Sequence, residues 1–371
     1  MAHGWSPALL FARRHRLKVG TVAILICVVY FFYLAPIAKS STSIQPSRGI
    51  PTPDLQTFKS HAINNTVVIV PVNTGMLHLV ENLLCSLSAT SFDPNSIVFW
   101  ALDEGAQATL RGRGFATYRD ASLWAESGNL NAHGNSPAYH RMMRQRPRFY
   151  MDFLSTGHDL LMIDADLVFW QSPLVIMPQN DTDREAVDMV YSTDAREFYT
   201  SHDAFHDEYR RGSLVPPICN GLFWMKSNNE TISLWSEMLQ VFEDSSWMTK
   251  IYRDRVFQDD QRGMDVLLND GRAGLVGPLP SGITEDMMPE SNREKRRLNV
   301  RLLDQTQVVN GQLFMFRENT YAESLKQLRG EGKDRIAVHM NWNTEIITKE
   351  EGARKKKIFF IDDNGRCKVE T

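Results

Sequence analysis

Residues 159–170 read Asp-Leu-Leu-Met-Ile-Asp-Ala-Asp-Leu-Val-Phe-Trp, an apolar run closed by two carboxylates one residue apart. Such a run is typical of a buried strand in a parallel sheet. Ligands of open α/β sheets bind beyond the carboxyl ends of the strands, which is where Asp164 and Asp166 would lie. Two such charges about 4 Å apart repel by roughly 4 kcal/mol at an effective dielectric constant near 20. A divalent cation shared with substrate phosphates would offset this repulsion, as Mg²⁺ and similar ions commonly do.

Two other interpretations of the acidic pair are open at this point. The acids could simply be solvated at the end of a strand. Alternatively, Asp164-Ala165-Asp166-Leu167-Val168 fits the D-x-D-x-[TV] start of haloacid-dehalogenase-type phosphohydrolases, in which the first Asp is the nucleophile. That motif normally follows the first strand of its fold, whereas two or three predicted strands precede Asp164 here. The position of the pair therefore favours the metal interpretation.

Composition limits the class of protein. The chain has 371 residues, 43% of them hydrophobic, enough for one large domain or two. The net charge of −3 argues against nucleic acid as a partner, since such a binder needs a basic face. Of four cysteines, Cys27 lies in an apolar segment. One pair at most can form among the others, and the sequence does not identify it: Cys85, Cys219 and Cys367.

The N-terminus predicts a membrane anchor. Basic residues precede an uncharged segment, 19–38, that is long enough for a tilted helix to cross a bilayer. The basic side stays in the cytosol, so the rest of the chain is expected in the lumen, in the Golgi membrane or in the ER. A cleaved signal peptide is the alternative. The expected organisation is a cytosolic tail, a signal-anchor, an extended stem and a luminal catalytic domain, at 1–18, 19–38, 39–62 and 63–371.

The luminal part alternates strands and helices from residue 66, which predicts βαβ units and a parallel sheet. Asn73 is a candidate cap for the first helix, and Pro147 is expected to kink or divide the helix before the acidic strand. Gly221 is unusual inside a strand, because glycine weakens a strand unless something approaches its backbone closely. Strands are predicted at 66–72, 97–102, 115–118, 187–191, 218–225, 312–316, 335–339 and 358–361, and helices at 76–89, 139–156, 231–242 and 264–268.

Several polar groups are further candidates. Four arginines precede the acidic strand, and one or two of them could meet a diphosphate or fix the acids: Arg141, Arg144, Arg146 and Arg148. The segment 197–212 is expected to be a mobile loop facing the acceptor. This segment contains His202 and His206, which are four residues apart. Such histidines are usually surface residues, and metal binding on a helix is the alternative. Three glycosylation sequons, beginning at Asn64, Asn180 and Asn229, agree with a luminal location.

A second acidic cluster lies around Asp260, Gln261 and Asp265. Chemistry that uses two carboxylate centres would need such a cluster. An acidic start of a helix, favoured by the helix macrodipole, explains it equally well.

The ordered landmarks resemble the nucleotide-diphospho-sugar transferase family, a group of metal-dependent retaining glycosyltransferases with plant xylosyl- and arabinosyltransferase members. The resemblance covers roughly residues 66–342. Its landmarks are Pro71-Val72-Asn73, Phe99-Trp100-Ala101-Leu102-Asp103-Glu104, Arg148 to Pro173 around the acidic pair, Asn220-Gly221-Leu222-Phe223, Asp260-Gln261 with Asp265, and His339-Met340-Asn341-Trp342.

The resemblance implies a GT-A-type α/β fold, a Rossmann-like mixed sheet flanked by helices. It also implies a nucleotide-sugar donor, with a UDP-sugar carrying a pentose or galactose expected, a glycan or glycoprotein acceptor, and Mn²⁺ or another divalent cation. Carried over residue by residue, it places Asp164, Asp166 and His339 on the metal. It places the donor on Asn73, Asp103, Arg148, Asp164, Asn220 and Gly221, and the reaction centre on Asp260, Gln261 and Asp265.

A cation at this site would neutralise the diphosphate as its bond to the sugar breaks. Whether Asp260 is a transient nucleophile or only stabilises an oxocarbenium-like state is left open by the sequence. A non-catalytic luminal carbohydrate-binding protein is the remaining alternative, and it would bind acceptor glycans without turning over any donor.

Overall fold

The computed structural model describes residues 47–120, 137–199, 215–287, 298–341 and 348–368. Its main feature is an eight-stranded sheet in the order β3-β2-β1-β4-β7-β6-β9-β8. Only β7 runs antiparallel to its neighbours, so the sheet is mixed. The strands are β1 Thr66–Val72, β2 Ile97–Ala101, β3 Ala116–Tyr118, β4 Asp159–Ile163, β5 Leu167–Phe169, β6 Met189–Thr193, β7 Ile218–Met225, β8 Ala273–Leu275, β9 Leu298–Leu302, β10 Val308–Asn310 and β11 Ala337–His339.

A second, three-stranded sheet in the order β10-β11-β5 lies beside the carboxyl end of β4. β5 pairs antiparallel with β11, so that His339 is opposite Leu167. The predicted strand that ends at the acidic pair is β4, and Asp164 to Asp166 make the turn into β5. The acids consequently lie where the two sheets meet.

Helices cover both faces of the main sheet. Alternate residues of a strand point to opposite faces, and in β4 Leu160 packs with one core cluster while Leu161 packs with the other. The helices are α1 Thr52–His61, α2 Leu77–Ser88, α3 Glu104–Gly112, α4 Pro137–Leu154, α5 Asp181–Ala186, α6 Asn229–Glu243, α7 Trp247–Tyr252, α8 Asp260–Leu267, α9 Gly311–Phe316, α10 Glu318–Gly330 and α11 Lys349–Lys355. The prediction of an α/β fold with a mixed sheet flanked by helices is confirmed.

Two predicted strands are wrong. Residues 312–316 belong to α9, whose first turn is closed by the side chain of Asn310 accepting a hydrogen bond from the Leu313 amide. Short apolar runs do not by themselves distinguish a strand from a buried helix. Residues 358–361 contribute only one isolated bridge, between Ile361 and Cys367.

The helix before the acidic strand is continuous across Pro147. Proline removes one helical hydrogen bond, but fully buried aromatic residues on the following turns, Phe149, Tyr150 and Phe153, hold α4 against the core. Pro147 therefore does not divide the helix. Asn73 precedes the first helical turn without capping it through its side chain.

The folded domain begins before residue 63. Residues 52–61, expected in an extended stem, form α1, and Phe58 is fully buried against Tyr118 and Phe153. At the other end of the chain, a disulfide joins Cys85 of α2 to Cys367. Cys219 is a buried free thiol.

Some predictions fall outside the described residues: the anchor at 19–38, the histidines His202 and His206, and Trp342. None of the helices in the described part of the chain combines the length and apolarity that a bilayer crossing requires.

Candidate active site

The three metal-ligand candidates meet because of backbone pairing. The Asp164 amide donates to the Gly221 carbonyl of β7, and the Met340 amide donates to the Asp166 carbonyl. These bonds place the imidazole of His339 beside the acids, with its Nε2 3.2 Å from Asp166 Oδ1 and 3.8 Å from Asp164 Oδ2. Its other nitrogen, Nδ1, lies 3.2 Å from the Cys219 sulfur.

The arrangement fits a divalent cation. One ligand atom from each of Asp164, Asp166 and His339 lies within 4.8 Å of the others. Neighbouring ligands around an octahedral ion with bonds of about 2.1 Å are about 3 Å apart, close to the separations found here. Carboxylate oxygens suit Mg²⁺ and Mn²⁺, and imidazole accepts most transition metals. Three protein ligands would leave coordination positions for phosphate oxygens.

Cationic side chains surround the acidic pair. The ammonium group of Lys349, at the start of α11, forms an ion pair with Asp166. Burial would raise the pKa of Asp166, but Lys349 and His339 hold it well below its usual range. For Asp164, burial outweighs the attraction of Arg146 and raises the pKa. For the imidazole of His339 the directions are reversed. Burial alone would lower its pKa, but its Cys219 and Asp166 partners raise it. The repulsion expected between the acids is thus offset by neighbouring cations.

Gly221 leaves room for the imidazole. A Cβ atom at this position would lie 2.0 Å from Cε1 of His339, 2.6 Å from its Nε2 and 2.8 Å from Asp164 Oδ2. No side chain fits at those distances. The glycine expected to mark a close approach in this strand therefore has a specific cause, the packing of His339 and Asp164 against the β7 backbone.

Arg146 links the acidic pair to the second acidic cluster. Its guanidinium lies 3.7 Å from Asp164 and 3.3 Å from Asp260, and it donates to the Asn220 carbonyl. Tyr150 accepts a further hydrogen bond from its Nε. Burial raises the pKa of Asp260 to about 6 although Arg146 lowers it. One buried cation is therefore shared by two carboxylates.

Amide groups continue the site beyond Asp260. Asn220 donates from its side chain to Asp260 Oδ2 at 3.3 Å, and its Oδ1 is buried with no partner among the described residues. Gln261 and Asn341 both donate to Asp194, at 3.0 and 2.8 Å. Burial raises the pKa of Asp194 although nearby His339 lowers it. These side chains form a polar wall beside Asp260, in which Asn220 Oδ1 remains available to accept a hydrogen bond.

A further group of polar side chains lies at the ends of β1 and β2. Asn73 is 1% exposed, and both polar atoms of its side chain lack partners among the described residues. Asp103 accepts hydrogen bonds from the backbone and hydroxyl of Thr74 and from the Ala106 amide. Because β1 is the neighbour of β4, Asn73 lies at the same sheet edge as the acidic pair.

Two candidate residues lie elsewhere. Arg148 forms an ion pair with Glu243 at 2.7 Å, so the arginine beside the acids is Arg146. Asp265 accepts from the Ile218 amide at the start of β7 and lies 3.7 Å from Arg262. Donor binding by Arg148 and a catalytic role for Asp265 stay predictions.

Three residues of the site were not predicted from the sequence, and a fourth, Arg146, was predicted only as one of four arginines. Asp194 directly follows β6, so the strand-end rule that selected the acidic pair could have selected it. Arg146 was one of four arginines with nothing to single it out. Cys219 and Lys349 carry no signal in the sequence that points to this site.

Comparison with known proteins gives the following likenesses. The family model described as nucleotide-diphospho-sugar transferase matches residues 94–352, well over half of the chain. The arabinosyltransferase RRA2 of Arabidopsis thaliana is 19% identical over 232 residues, covering 61% of this chain and 52% of that protein. The chain thus spans about half the length of this curated relative.

Solved structures that are similar to the chain include two glycosyltransferases. The apo form of mouse xyloside xylosyltransferase 1 has 10% identity and a TM-score of 0.40, over 73% of this chain and 96% of its own. The galactosyltransferase LgtC with donor and acceptor sugar analogues has 14% identity and a TM-score of 0.40, over 78% and 94%.

Proposed function

Because the chain belongs to the nucleotide-diphospho-sugar transferase family, and so to the glycosyltransferases, we propose that it transfers a sugar from a UDP-sugar to a glycan or glycoprotein with retention of configuration. The observation that carries the proposal is the group formed by Asp164, Asp166 and His339, joined through Arg146 to Asp260. The name of the Arabidopsis relative supports a pentose donor, with galactose as the second choice.

Asp164, Asp166 and His339 would hold a divalent cation, Mn²⁺ by preference. When bound, such an ion supplies Lewis-acid stabilisation to the departing diphosphate. Cys219 accepts a hydrogen bond from Nδ1 of His339 in the tautomer that leaves Nε2 free to coordinate. The thiol therefore orients a ligand without being one.

The donor would extend from the acidic pair toward β1. The unpartnered amide of Asn73 offers a donor and an acceptor to the edge of a nucleobase. Asp103 lies close by, where it accepts a hydrogen bond from the hydroxyl of Thr74. Lys349 already pairs with a carboxylate of the site, so its ammonium can turn to phosphate oxygens once Asp166 has another cation to bind. This arrangement favours charge stabilisation of the leaving group.

The transferred sugar would lie against the polar wall formed by the side chains beyond Asp260. Asn220 Oδ1 lacks a partner among the described residues, so it can accept from a sugar hydroxyl, and Gln261 lies next to it through the Asn220 amide. Ionised Asp260 would stabilise positive charge at the anomeric carbon. Retention means that the acceptor hydroxyl arrives on the face from which the nucleotide departs.

A luminal location in the Golgi membrane completes the proposal. Disulfides persist in oxidising compartments and are rare in the cytosol, so the bond between Cys85 and Cys367 supports the secretory pathway. The basic residues before 19–38 support an anchor with its N-terminus in the cytosol.

The test is a donor-hydrolysis screen of the purified protein across UDP-sugars, with and without Mn²⁺. We expect one UDP-sugar to be hydrolysed in a metal-dependent way, and Asp166→Asn to abolish that activity while circular dichroism shows a folded protein. Asp363→Asn, at a side chain 99% exposed, is the matched control and should retain full activity.

Two results would contradict the proposal. One is the absence of both Mn²⁺ binding and donor turnover. The other is release of phosphate from a phosphomonoester without any nucleotide-sugar, which would restore the phosphohydrolase interpretation despite the position of the acids after the fourth strand.

A further inference from the structure

The three sequons of the chain all begin at exposed asparagines in described parts of the structure. Asn64 lies in the turn before β1, Asn180 precedes α5, and Asn229 is the first residue of α6. Sequons are common by chance, so their presence alone carries little weight. Their placement in the fold carries the inference.

One buried carboxylate ties the three sequon segments together. Asp159, fully buried at the start of β4, donates its amide to the carbonyl of Asn65 in the first sequon. Its side chain accepts from Arg184 in α5 at 2.7 Å and from the Ser227 amide, two residues before Asn229, at 2.9 Å. The three segments therefore surround a single end of the sheet.

This end is opposite the candidate active site. β4 begins at Asp159 and ends at Ile163, directly before Asp164. At about 3.3 Å per residue, the strand separates the Asp159 end from the acidic pair by roughly 16 Å. A chain attached at the Asp159 end would therefore point away from the donor.

The local geometry at each asparagine accepts an attached glycan. The nitrogen that would carry it, Nδ2, has no hydrogen-bond partner at Asn64, Asn180 or Asn229 among the residues that the structure describes. Asn180 uses only its Oδ1, which accepts from the Asp183 amide and caps α5. Asn64 has a φ of 49° in an exposed turn, a conformation that asparagine tolerates.

We propose that Asn64, Asn180 and Asn229 carry N-linked oligosaccharides, which cover the end of the molecule opposite the donor site. In each reaction Nδ2 loses a proton and forms a bond to C1 of a lipid-diphosphate-linked oligosaccharide. The bond between C1 and the phosphate oxygen breaks, and the lipid diphosphate leaves with its electrons. The proposal rests on the luminal location given under the proposed function.

The test uses the full chain expressed in eukaryotic secretory cells. Asparagine is replaced by aspartate at each position singly and at all three, because aspartate preserves the oxygen that caps α5 and tolerates positive φ at residue 64. Glycosidase release in ¹⁸O-labelled water, followed by peptide mass mapping, locates each glycan. Asn95→Asp, at an exposed asparagine outside any sequon, is the control.

We expect ¹⁸O-labelled aspartate at all three positions, one step of gel mobility lost with each single variant, and no change for Asn95→Asp. The triple variant should hydrolyse donor within about twofold of the unsubstituted protein carrying its glycans. An unlabelled asparagine at any of the three positions overturns the assignment there. A folded triple variant that has lost donor hydrolysis overturns the separation of the glycan end from the active site.

The state of the cysteines identifies the cause of a failure. Unmodified protein with Cys85 and Cys367 joined has reached an oxidising compartment, so the result would show that these asparagines are not glycosylated there. Unmodified protein with both thiols free has not reached the lumen, and the location in the proposed function fails with it.

Discussion

Substitution of Gly221 by alanine should disable the proposed metal site while leaving most of the fold intact. The added Cβ would lie 2.0 Å from Cε1 of His339, whereas ordinary contacts are 3.4–4 Å. The ring must therefore retreat by about 1.4 Å, or β7 must shift. His339 is 3% exposed and is held by Cys219 and Asp166. Either movement would therefore disturb these contacts and cost stability.

The magnitude follows from two effects. Overpacking a well-filled interior costs about 1–3 kcal/mol of stability. Metal bonds tolerate errors of only about 0.2 Å, so an imidazole displaced by more than 1 Å no longer completes the site. Since disturbing groups that merely orient a ligand already weakens metal affinity by about 10–100-fold, we expect Gly221→Ala to weaken Mn²⁺ binding more than about 100-fold.

Titration calorimetry with Mn²⁺ and thermal unfolding measure the two effects separately. Gly112→Ala is the control, because a Cβ there meets no heavy atom within 4 Å and α3 should be slightly stabilised. If Gly221→Ala remained folded and bound Mn²⁺ within about threefold of the unsubstituted protein, the assignment of His339 as a ligand would be refuted.

Three further predictions concern neighbouring groups. Asp260 has a folded pKa of about 6 against roughly 3.9 when unfolded, so its ionisation opposes folding. The free energy of unfolding should therefore fall, relative to Asp260→Asn, by about 2 kcal/mol from pH 4 to pH 7 in urea titrations, and a constant difference would contradict this. Cys219→Val should weaken Mn²⁺ binding about 10–100-fold by leaving Nδ1 of His339 without its acceptor, whereas Cys219→Ser should largely retain it; equal affinities in calorimetry would exclude an orienting role. Replacing Cys85 and Cys367 by serine should cost about 2–5 kcal/mol in denaturant unfolding, and an unchanged midpoint would contradict this.

The sequence predicted the location of the acidic pair because strand ends follow a general rule. Asp164 and Asp166 end an unmistakable apolar run, and His339 ends another, so all three were expected at a sheet edge. Their actual meeting depends on the second sheet, in which β5 pairs with β11. No local pattern specifies that pairing.

The choice between arginines was beyond the sequence for a different reason. Arg146 and Arg148 are two positions apart on α4, so they point to nearly opposite sides of the helix. Which side meets the acids depends on how α4 is rotated, and that is set by the stacking of Phe149 on Trp100 and by the burial of Tyr150. Lys349 is similar, since it lies 183 residues after the carboxylate that it contacts.

The pairing of β5 with β11 has a consequence for the chain during its synthesis. Asp166 leaves the ribosome 173 residues before His339, a delay of roughly 10–35 s at ordinary elongation rates. During that interval the nascent polypeptide carries the acids without the imidazole and the lysine that complete their surroundings. The candidate site can therefore assemble only after translation has passed Lys349, 183 residues after Asp166.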